Sequence, residues 1–81
     1  MVKLDIHYNG TTWWRLNGQL HRLNGPASTS VWGYYAYWVN NRRHRIDGPA
    51  IIIPNGTNQY WVDGKQVSEY EQMFIMETTY D

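Results

Sequence analysis

Apolar and polar residues alternate along much of the chain with a period of two, which is the pattern of β-strands with one buried face. The run LDIHY at residues 4 to 8 is the clearest case, and the turn triplet Asn9-Gly10-Thr11 follows it directly. The same triplet returns at residues 55 to 57, again after an apolar run. Asn-Gly between two such runs predicts a β-hairpin, here with a three-residue loop.

The chain also contains an internal repeat. HRLNGPA at residues 21 to 27 returns as HRIDGPA at residues 44 to 50, which gives a period of 23 residues. Gly10, Gly33 and Gly56 keep the same spacing, so the repeat runs in phase without an insertion. Periods of about 20 to 50 residues are typical of stacked supersecondary units. We therefore predict that each unit is a hairpin followed by a longer connection.

The three-residue loops set an expected pairing register, in which Ile6 faces Trp14 in the first unit. Equivalent pairs in the later units place apolar side chains on the same face, so we expect a mainly β fold, a single six-stranded antiparallel meander of stacked hairpins. The later pairs are Thr29 with Tyr37 and Ile52 with Tyr60, and the expected core face is Leu4, Ile6, Tyr8, Trp14, Leu16, Val31, Tyr37, Val39, Ile52, Tyr60 and Val62.

The opposite face of this sheet carries more apolar area than a solvated surface should. Large exposed apolar patches usually mark an interface, and Trp and Arg are enriched where interfaces bind most strongly. We therefore predict that this face binds another protein, through an apolar anchor with a cationic rim. The anchor is Trp13, Trp32, Trp38 and Trp61, and the rim is Arg42, Arg43 and Arg45.

The end of the chain departs from the repeat and predicts a helix. Ser68 and Glu71 have the spacing of a capping box, and Tyr70, Met73 and Phe74 form an apolar stripe at helical spacing. Terminal units of repeat proteins are commonly altered into caps. We expect one domain over residues 1 to 81, with a repeat sheet over 1 to 66 and a helical cap over 67 to 78, whose apolar stripe covers either the core face or the Trp face of the sheet.

Charge and composition narrow the class of protein. The net charge is zero, but all seven Lys and Arg lie within residues 1 to 65 and only acidic charges follow. This permits an anionic partner without demanding nucleic acid. The absence of cysteine excludes disulfides and a Cys-based nucleophile. Because residues 1 to 10 alternate instead of forming a signal-peptide core, we expect a soluble cytoplasmic protein without membrane binding.

The repeated His-Arg segments admit two interpretations. In the structural one, Asn24 or Asp47 bonds local backbone amides while the preceding Arg bridges to the carboxylate or to carbonyls of the neighbouring unit. In the functional one, the segments form a cationic ledge for an anion or nucleotide, with bases stacking on Trp38 or Trp61. The ledge residues are His21, Arg22, His44 and Arg45.

Two further functions, nuclease activity and metal binding, have less support from the sequence. The repeated histidines could act as acid and base in a metal-independent nuclease, but repetition makes their surroundings equivalent, which does not favour opposite roles. A metal site formed by His7, His21 and His44 has no ligand spacing to support it. We expect no metal and no catalytic residue.

The repeat resembles the MORN (membrane occupation and recognition nexus) repeat, a hairpin unit of the same length that stacks into an extended twisted sheet. The resemblance covers roughly residues 3 to 66. Its matching stretches are YWVNNRRHRIDGPAIIIPNG at 37 to 56, WRLNGQLHRLNGPASTSVWG at 14 to 33 and YWVDGKQ at 60 to 66. Arg22 and Arg45 stand where the common unit has a glycine, so phospholipid binding is not carried over. The His-Arg-x-Asp-Gly-Pro-Ala variant is similar to repeats of phage and giant-virus proteins, which implies a viral protein.

These observations lead to one expected function and two alternatives. We expect a non-catalytic binding protein without a cofactor, which as a viral protein would engage a host protein stoichiometrically. A homodimer through the Trp-rich face also fits the pattern. The first alternative is a sponge that sequesters an anionic nucleotide through the His-Arg segments, and the second is the nuclease.

Overall fold

The computed structural model describes residues 2 to 7 and 9 to 79, so Tyr8, predicted in the core, lies outside the described residues. The fold is mainly β, with antiparallel strands arranged in hairpins and one helix near the C-terminus, as predicted. The elements are β1 (Val2–Ile6), β2 (Thr12–Leu16), β3 (Gln19–Leu20), β4 (Ser28–Thr29), β5 (Tyr35–Ala36), β6 (Trp38–Val39), β7 (Arg42–Arg43), β8 (Ile51–Ile52), β9 (Tyr60–Val62), β10 (Lys65–Val67) and α1 (Glu69–Thr79).

Each unit contributes strands to a central sheet and also forms a shorter hairpin beside it. The central sheet has the order β1-β2-β4-β5-β8, and a bridge between Ile51 and Gln59 carries it to the segment that precedes β9. Separate hairpins, β6 with β7 and β9 with β10, turn away from this sheet, and β3 pairs with the far end of β2 in the same way. The meander is therefore present, but each unit also carries a second, shorter hairpin.

The predicted pairing register is wrong by two residues in every unit. Leu4, not Ile6, pairs with Trp14, and the His7 N–H donates to the Thr11 carbonyl at 2.8 Å. The hairpin loop thus closes one residue earlier than the Asn9-Gly10-Thr11 triplet predicts. A shift of two residues leaves every side chain on the same face of the sheet. The face assignments survive although the partners do not. The other observed pairs are Ser28 with Ala36, Thr29 with Tyr35 and Ile51 with Gln59.

The predicted division into a core face and a binding face is wrong. Among the described residues, the buried apolar side chains are three alanines and one isoleucine, and they come from both faces, since Ala36 and Ile51 alternate with the core-face residues Tyr37 and Ile52. No large side chain there is fully buried. Leu4, Ile6 and Val31, expected in the core, are exposed. A single-layered sheet buries only what its own connections and side chains can cover. The buried apolar residues are Ala27, Ala36, Ala50 and Ile51.

The short hairpins turn on two residues with positive φ. Asn17 and Gly18 have φ of 52° and 81°, and Asp63 and Gly64 have 51° and 80°. Positive φ at both central residues is the mark of the type I′ turn, which matches the right-handed twist of the strands on either side. Residues 17 to 26 and 40 to 49, predicted as plain connections, therefore each begin with the second strand of a hairpin.

Proline limits the length of the paired strands in the second and third units. Pro26 and Pro49 stand one and two periods after Lys3. Proline has no N–H to donate to a ladder, and in those units the strand starts only after it. Lys3 has its N–H and pairs with Arg15, so β1 and β2 pair over five residues where the later sheet strands pair over two.

The helix begins at the predicted capping box. The Ser68 hydroxyl accepts the Glu71 N–H at 3.0 Å, and the Glu71 carboxylate accepts the Ser68 N–H at 3.3 Å. The helix lies against β9, but the predicted apolar stripe does not hold it, because Tyr70, Met73 and Phe74 are largely exposed.

The helix is instead attached through a polar side chain. Gln72 is 5% exposed, and its amide nitrogen donates to the carbonyls of Arg45 and Gly48 at 2.7 and 2.5 Å. The side-chain amide nitrogen carries two N–H groups, so this one side chain can bond both carbonyls.

The hairpin loops of neighbouring units touch at the opposite end of the sheet. Gly10 and Gly56 occupy equivalent positions with φ of 87° and 97°, but a Cβ at Gly10 would collide with Val31, whereas a Cβ at Gly56 would meet nothing. Gly10 is thus required both by its backbone conformation and by its neighbour.

We predict that Gly56→Ala lowers the free energy of unfolding by about 1 kcal/mol, the cost of a left-handed conformation for an L-residue. Gly10→Ala should cost at least about 1 kcal/mol more, because it adds a steric clash to the same backbone cost. Chemical denaturation measures both. In a Val31→Ala background the two alanine substitutions should cost the same, and a persisting difference would contradict contact between the loops.

Candidate functional site

The histidines of the repeat tie each unit to the next. Nδ1 of His21 accepts the N–H of Asn40 at 3.0 Å, and Nδ1 of His44 accepts the N–H of Asp63 at 3.0 Å. Both donors open the type I′ turn of the following unit. His21 is 8% exposed. A side-chain acceptor at this place satisfies an amide that the turn leaves without a strand partner.

Backbone groups beside the histidines complete the connection between units. The N–H of Arg22 donates to the Trp38 carbonyl at 3.0 Å, and the N–H of Asn41 donates to the Leu20 carbonyl at 2.8 Å. One period later the same two bonds join Arg45 to Trp61 at 3.0 Å and Gly64 to Arg43 at 2.8 Å. The His-Arg segment therefore works as a docking edge for the next short hairpin.

The arginines of the motif lie over aromatic rings of their own unit. The guanidinium carbon of Arg22 is 4.4 Å from the centre of the Trp14 ring, and that of Arg45 is 4.1 Å from the centre of the Tyr37 ring. Arg45 also donates to the Asp47 carboxylate at 2.9 Å and to the Pro49 carbonyl at 3.2 Å. The arginine-carboxylate bridge expected in the structural interpretation is present, but the carbonyl belongs to the same unit and not to its neighbour.

The glycine of the motif makes room for this arginine. A Cβ at Gly48 would lie 2.8 Å from the Arg45 guanidinium carbon, and a Cβ at Gly25 would lie 3.3 Å from that of Arg22. Neither glycine has positive φ. Close approach of the guanidinium, and not an unusual backbone conformation, thus accounts for the Gly in Gly-Pro-Ala.

The two His-Arg segments enclose a groove of about 460 Å³. Arg22, His44 and Arg45 line it, and so does the Asp47 carboxylate. His21, expected in the same ledge, lines a separate hollow beside Val2. The structure thus brings three of the four ledge residues together, with an acidic side chain among them.

On the other face, Arg43 lies between two tryptophans. Its guanidinium carbon is 5.2 Å from the centre of the Trp38 ring and 4.8 Å from that of Trp61. Asn41, Arg42 and Gly64 join these residues around a shallow groove of about 260 Å³. Stacking of a cation between two rings is favourable on both sides. Arg43 is therefore an interior part of this cluster, and Arg42 alone forms its cationic rim.

The other two predicted anchors stand apart from this cluster. Trp13 contacts His7 edge to face at 4.6 Å and Arg15 at 4.7 Å. Trp32 lies in the loop between β4 and β5, at the opposite end of the sheet from Trp38, and is 81% exposed. Arg45 stacks on Tyr37, across the sheet from the Trp rings. The four tryptophans and three arginines therefore do not form one continuous surface.

The sequence did not identify the exposed apolar residues around Trp32. We call the group at this end of the sheet the loop-end surface; its members are exposed although two of them were assigned to the core and two were assigned no role. The true register places Ile6 and Tyr35 in one row across the sheet, with Thr12 and Thr29 between them, and Val31, Trp32 and Tyr34 lie in the connection between β4 and β5. The loop-end surface consists of Ile6, Val31, Trp32, Tyr34 and Tyr35.

No protein-family model, curated protein or solved structure matches the chain. Within residues 2 to 7 and 9 to 79, no three His, Asp or Glu side chains are close enough to share a metal ion. The helix over the described part of the chain is too short and too polar to cross a bilayer.

The histidine bond between units can be tested by removing and restoring the acceptor. His21→Ala removes the acceptor of the part-buried bond from the Asn40 N–H, so the free energy of unfolding should fall by about 1 kcal/mol. In His21→Asn the side-chain oxygen takes the place of Nδ1, and about half of the loss should be recovered. Thermal and chemical unfolding measure both. Equal stability of the two variants would show that the acceptor has no role.

Proposed function

We propose that this chain is a non-catalytic binding protein that engages another protein through the loop-end surface, with Trp32 as its anchor. The observation that carries the proposal is the 81% exposure of a tryptophan flanked by exposed Val31. A largely exposed Trp in a hairpin loop contributes little to the stability of its own chain, whereas buried Trp side chains contribute most strongly to protein interfaces.

The repeat supplies a second argument. Trp32 stands where the first and third units have Asn9 and Asn55. Asn9 makes a local bond to the Thr11 N–H at 3.1 Å, as turn residues of this type usually do. The second unit closes its loop instead with the Ser30 hydroxyl, which accepts the Trp32 N–H at 3.3 Å. A large apolar residue is therefore present at a position where the fold requires only a turn.

The class of partner follows from the surface and from the resemblance of the repeat. The five residues of the loop-end surface are apolar or aromatic and exposed, so its partner should present an apolar pocket. The resemblance to repeats of phage and giant-virus proteins favours a viral protein that binds and inhibits a protein of its host.

We predict that a photo-reactive phenylalanine analogue at position 32 cross-links to one protein in the cell that naturally makes this chain. The same analogue at Lys65, exposed on β10, is the matched control and should give no such product. Mass spectrometry of the cross-linked band identifies the partner. No product at position 32, or the same product at both positions, would contradict the proposal.

With that partner in hand, Trp32→Ala should weaken binding at least about 30-fold, the effect of losing an interface anchor. Its melting temperature should stay unchanged, because the ring is exposed. Calorimetric titration and thermal unfolding measure the two effects. Trp38→Ala provides the contrast, since that ring stacks on Arg43 and its loss should lower stability.

The nucleotide sponge has less support from the geometry. Both motif arginines are engaged with rings and proline carbonyls, and Asp47 places a negative charge inside the groove that would hold phosphates. Nδ1 of His44 is already an acceptor for Asp63. The nuclease alternative meets the same difficulty, because both histidines hold units together.

We predict that Arg45→Ala lowers the free energy of unfolding by about 1 to 2 kcal/mol, through loss of its ring stacking and hydrogen bonds. Nucleoside mono- and diphosphates should leave the melting temperature of the wild type unchanged. A nucleotide-dependent rise that Arg45→Ala abolishes would favour the sponge instead.

A further inference from the structure

Strand β1 forms an open edge of the central sheet. It pairs with β2 over five residues, and no strand among the described residues pairs with its other side. Edge strands of natural proteins are usually short, bulged or interrupted by proline, since an open edge is a template for another strand. β1 and β2, of five residues each, are the longest strands of this sheet, and β1 contains no proline or bulge; its edge is protected only by the charges of Lys3 and Asp5.

The backbone of β1 offers its outward groups at alternate residues. The His7 N–H points to Thr11 of the hairpin, so hydrogen-bonded pairs with β2 fall at the odd residues of β1. The N–H and C=O groups of Val2, Leu4 and Ile6 therefore point away from β2. Their side chains share one face and are all exposed.

The sequence of β1, VKLDI, is complementary to itself in antiparallel orientation. A register centred on Leu4 pairs Leu4 with Leu4 of the second copy and Val2 with Ile6. These are the residues with outward backbone groups, so each pair exchanges two hydrogen bonds. Lys3 then faces Asp5 in the non-hydrogen-bonded positions, where side chains come closest.

The charges of β1 are better balanced in such a pair than within one chain. Lys3 lies directly across from Arg15 on β2, and like charges at facing positions are unfavourable. Asp5 binds Arg15 at 3.1 Å through one carboxylate oxygen, which leaves the other oxygen for a second cation. The Lys3 of a second copy supplies that cation, and the Asp5 of that copy relieves Lys3.

We propose that two copies of this chain associate edge to edge through β1, antiparallel and centred on Leu4, so that their central sheets become one continuous sheet. The occupant of the edge is thus a second copy of the chain. The loop-end surface and the Arg43 cluster are not part of this contact.

The association can be tested by reversing charges on the strand. Sedimentation should show the wild type passing from monomer to dimer between about 10 μM and about 1 mM, because small interfaces bind weakly. Lys3→Asp alone and Asp5→Lys alone each place like charges at both facing positions, so self-association should weaken at least about tenfold. An equimolar mixture of the two variants restores both opposite-charge pairs and should form the mixed dimer.

A control variant separates a specific effect on β1 from a general effect of charge. Lys65→Asp makes the same charge change on β10 and should leave dimerisation unchanged. Recovery in the mixture also shows that each variant is folded, which a loss of dimer alone would not. A wild type that stays monomeric up to about 1 mM, or a dimer that persists in Lys3→Asp, overturns the proposal.

Amide exchange locates the contact independently of charge. When nine-tenths of the chains are paired, the amides of Leu4 and Ile6 should exchange about tenfold more slowly than in dilute protein, because exchange proceeds from the remaining monomer. The Trp32 amide should not change with concentration. A dimer that protects Trp32 and leaves Leu4 unaffected would place the contact at the loop-end surface and overturn the edge model.

Discussion

The bonds between a His-Arg segment and the next type I′ turn hold this structure together. The apolar core described in the structure is only three alanines and one isoleucine, far too little to order a sheet by burial alone. Three bonds per junction, one to the imidazole and two between backbone groups beside it, connect successive units. The aromatic rings then serve to hold the arginine in place beside each junction. Stability is distributed along the array and does not reside in one centre.

Residues that recur from one unit to the next have structural roles, which sets apart the residues that depart from the repeat. His21, Arg22, Gly25 and Pro26 recur one period later in equivalent structural roles, although Arg45 lies over Tyr37 instead of a Trp and also bonds Asp47. Departures from the period are therefore informative. Trp32 replaces a turn asparagine, and Lys3 replaces a proline. The first departure leaves an exposed tryptophan ring, and the second leaves a long strand with an open edge. The ring and the edge lie on different parts of the molecule.

The sequence predicted the units, the alternation of faces and the capped helix, because each depends on local chemistry at a fixed spacing. Ser68 and Glu71 form their box wherever the helix is placed. The pairing register was wrong because Asn9 stands inside the loop and not at its start, a difference of one residue that no periodicity reveals. The type I′ turns were missed because Asn17-Gly18 was assigned to a connection.

The attachment of the helix and the geometry of the candidate site depend on interactions between residues that are far apart in the sequence, so local patterns do not predict them. Nothing in the local sequence indicates that Gln72 reaches two carbonyls more than 20 residues away, and an apolar stripe seemed the better anchor. The stacking of Arg43 between Trp38 and Trp61 likewise needs the second hairpin of each unit to be known. The four tryptophans share one face in the alternation, but their distance along the strands separates them into different surfaces.

The capping box of the helix also determines the length of the array. Ser68 stands one period after Arg45, whose N–H binds the next hairpin, and in Ser68 that N–H is already taken by Glu71. Val67 likewise stands where the earlier units have an acceptor histidine. A tandem duplication of one 23-residue unit upstream of this box would meet an unchanged docking edge on each side and an unchanged terminator. The array can therefore be lengthened or shortened in whole 23-residue units, while the hydrogen bonds of the capping box end it in the same way each time.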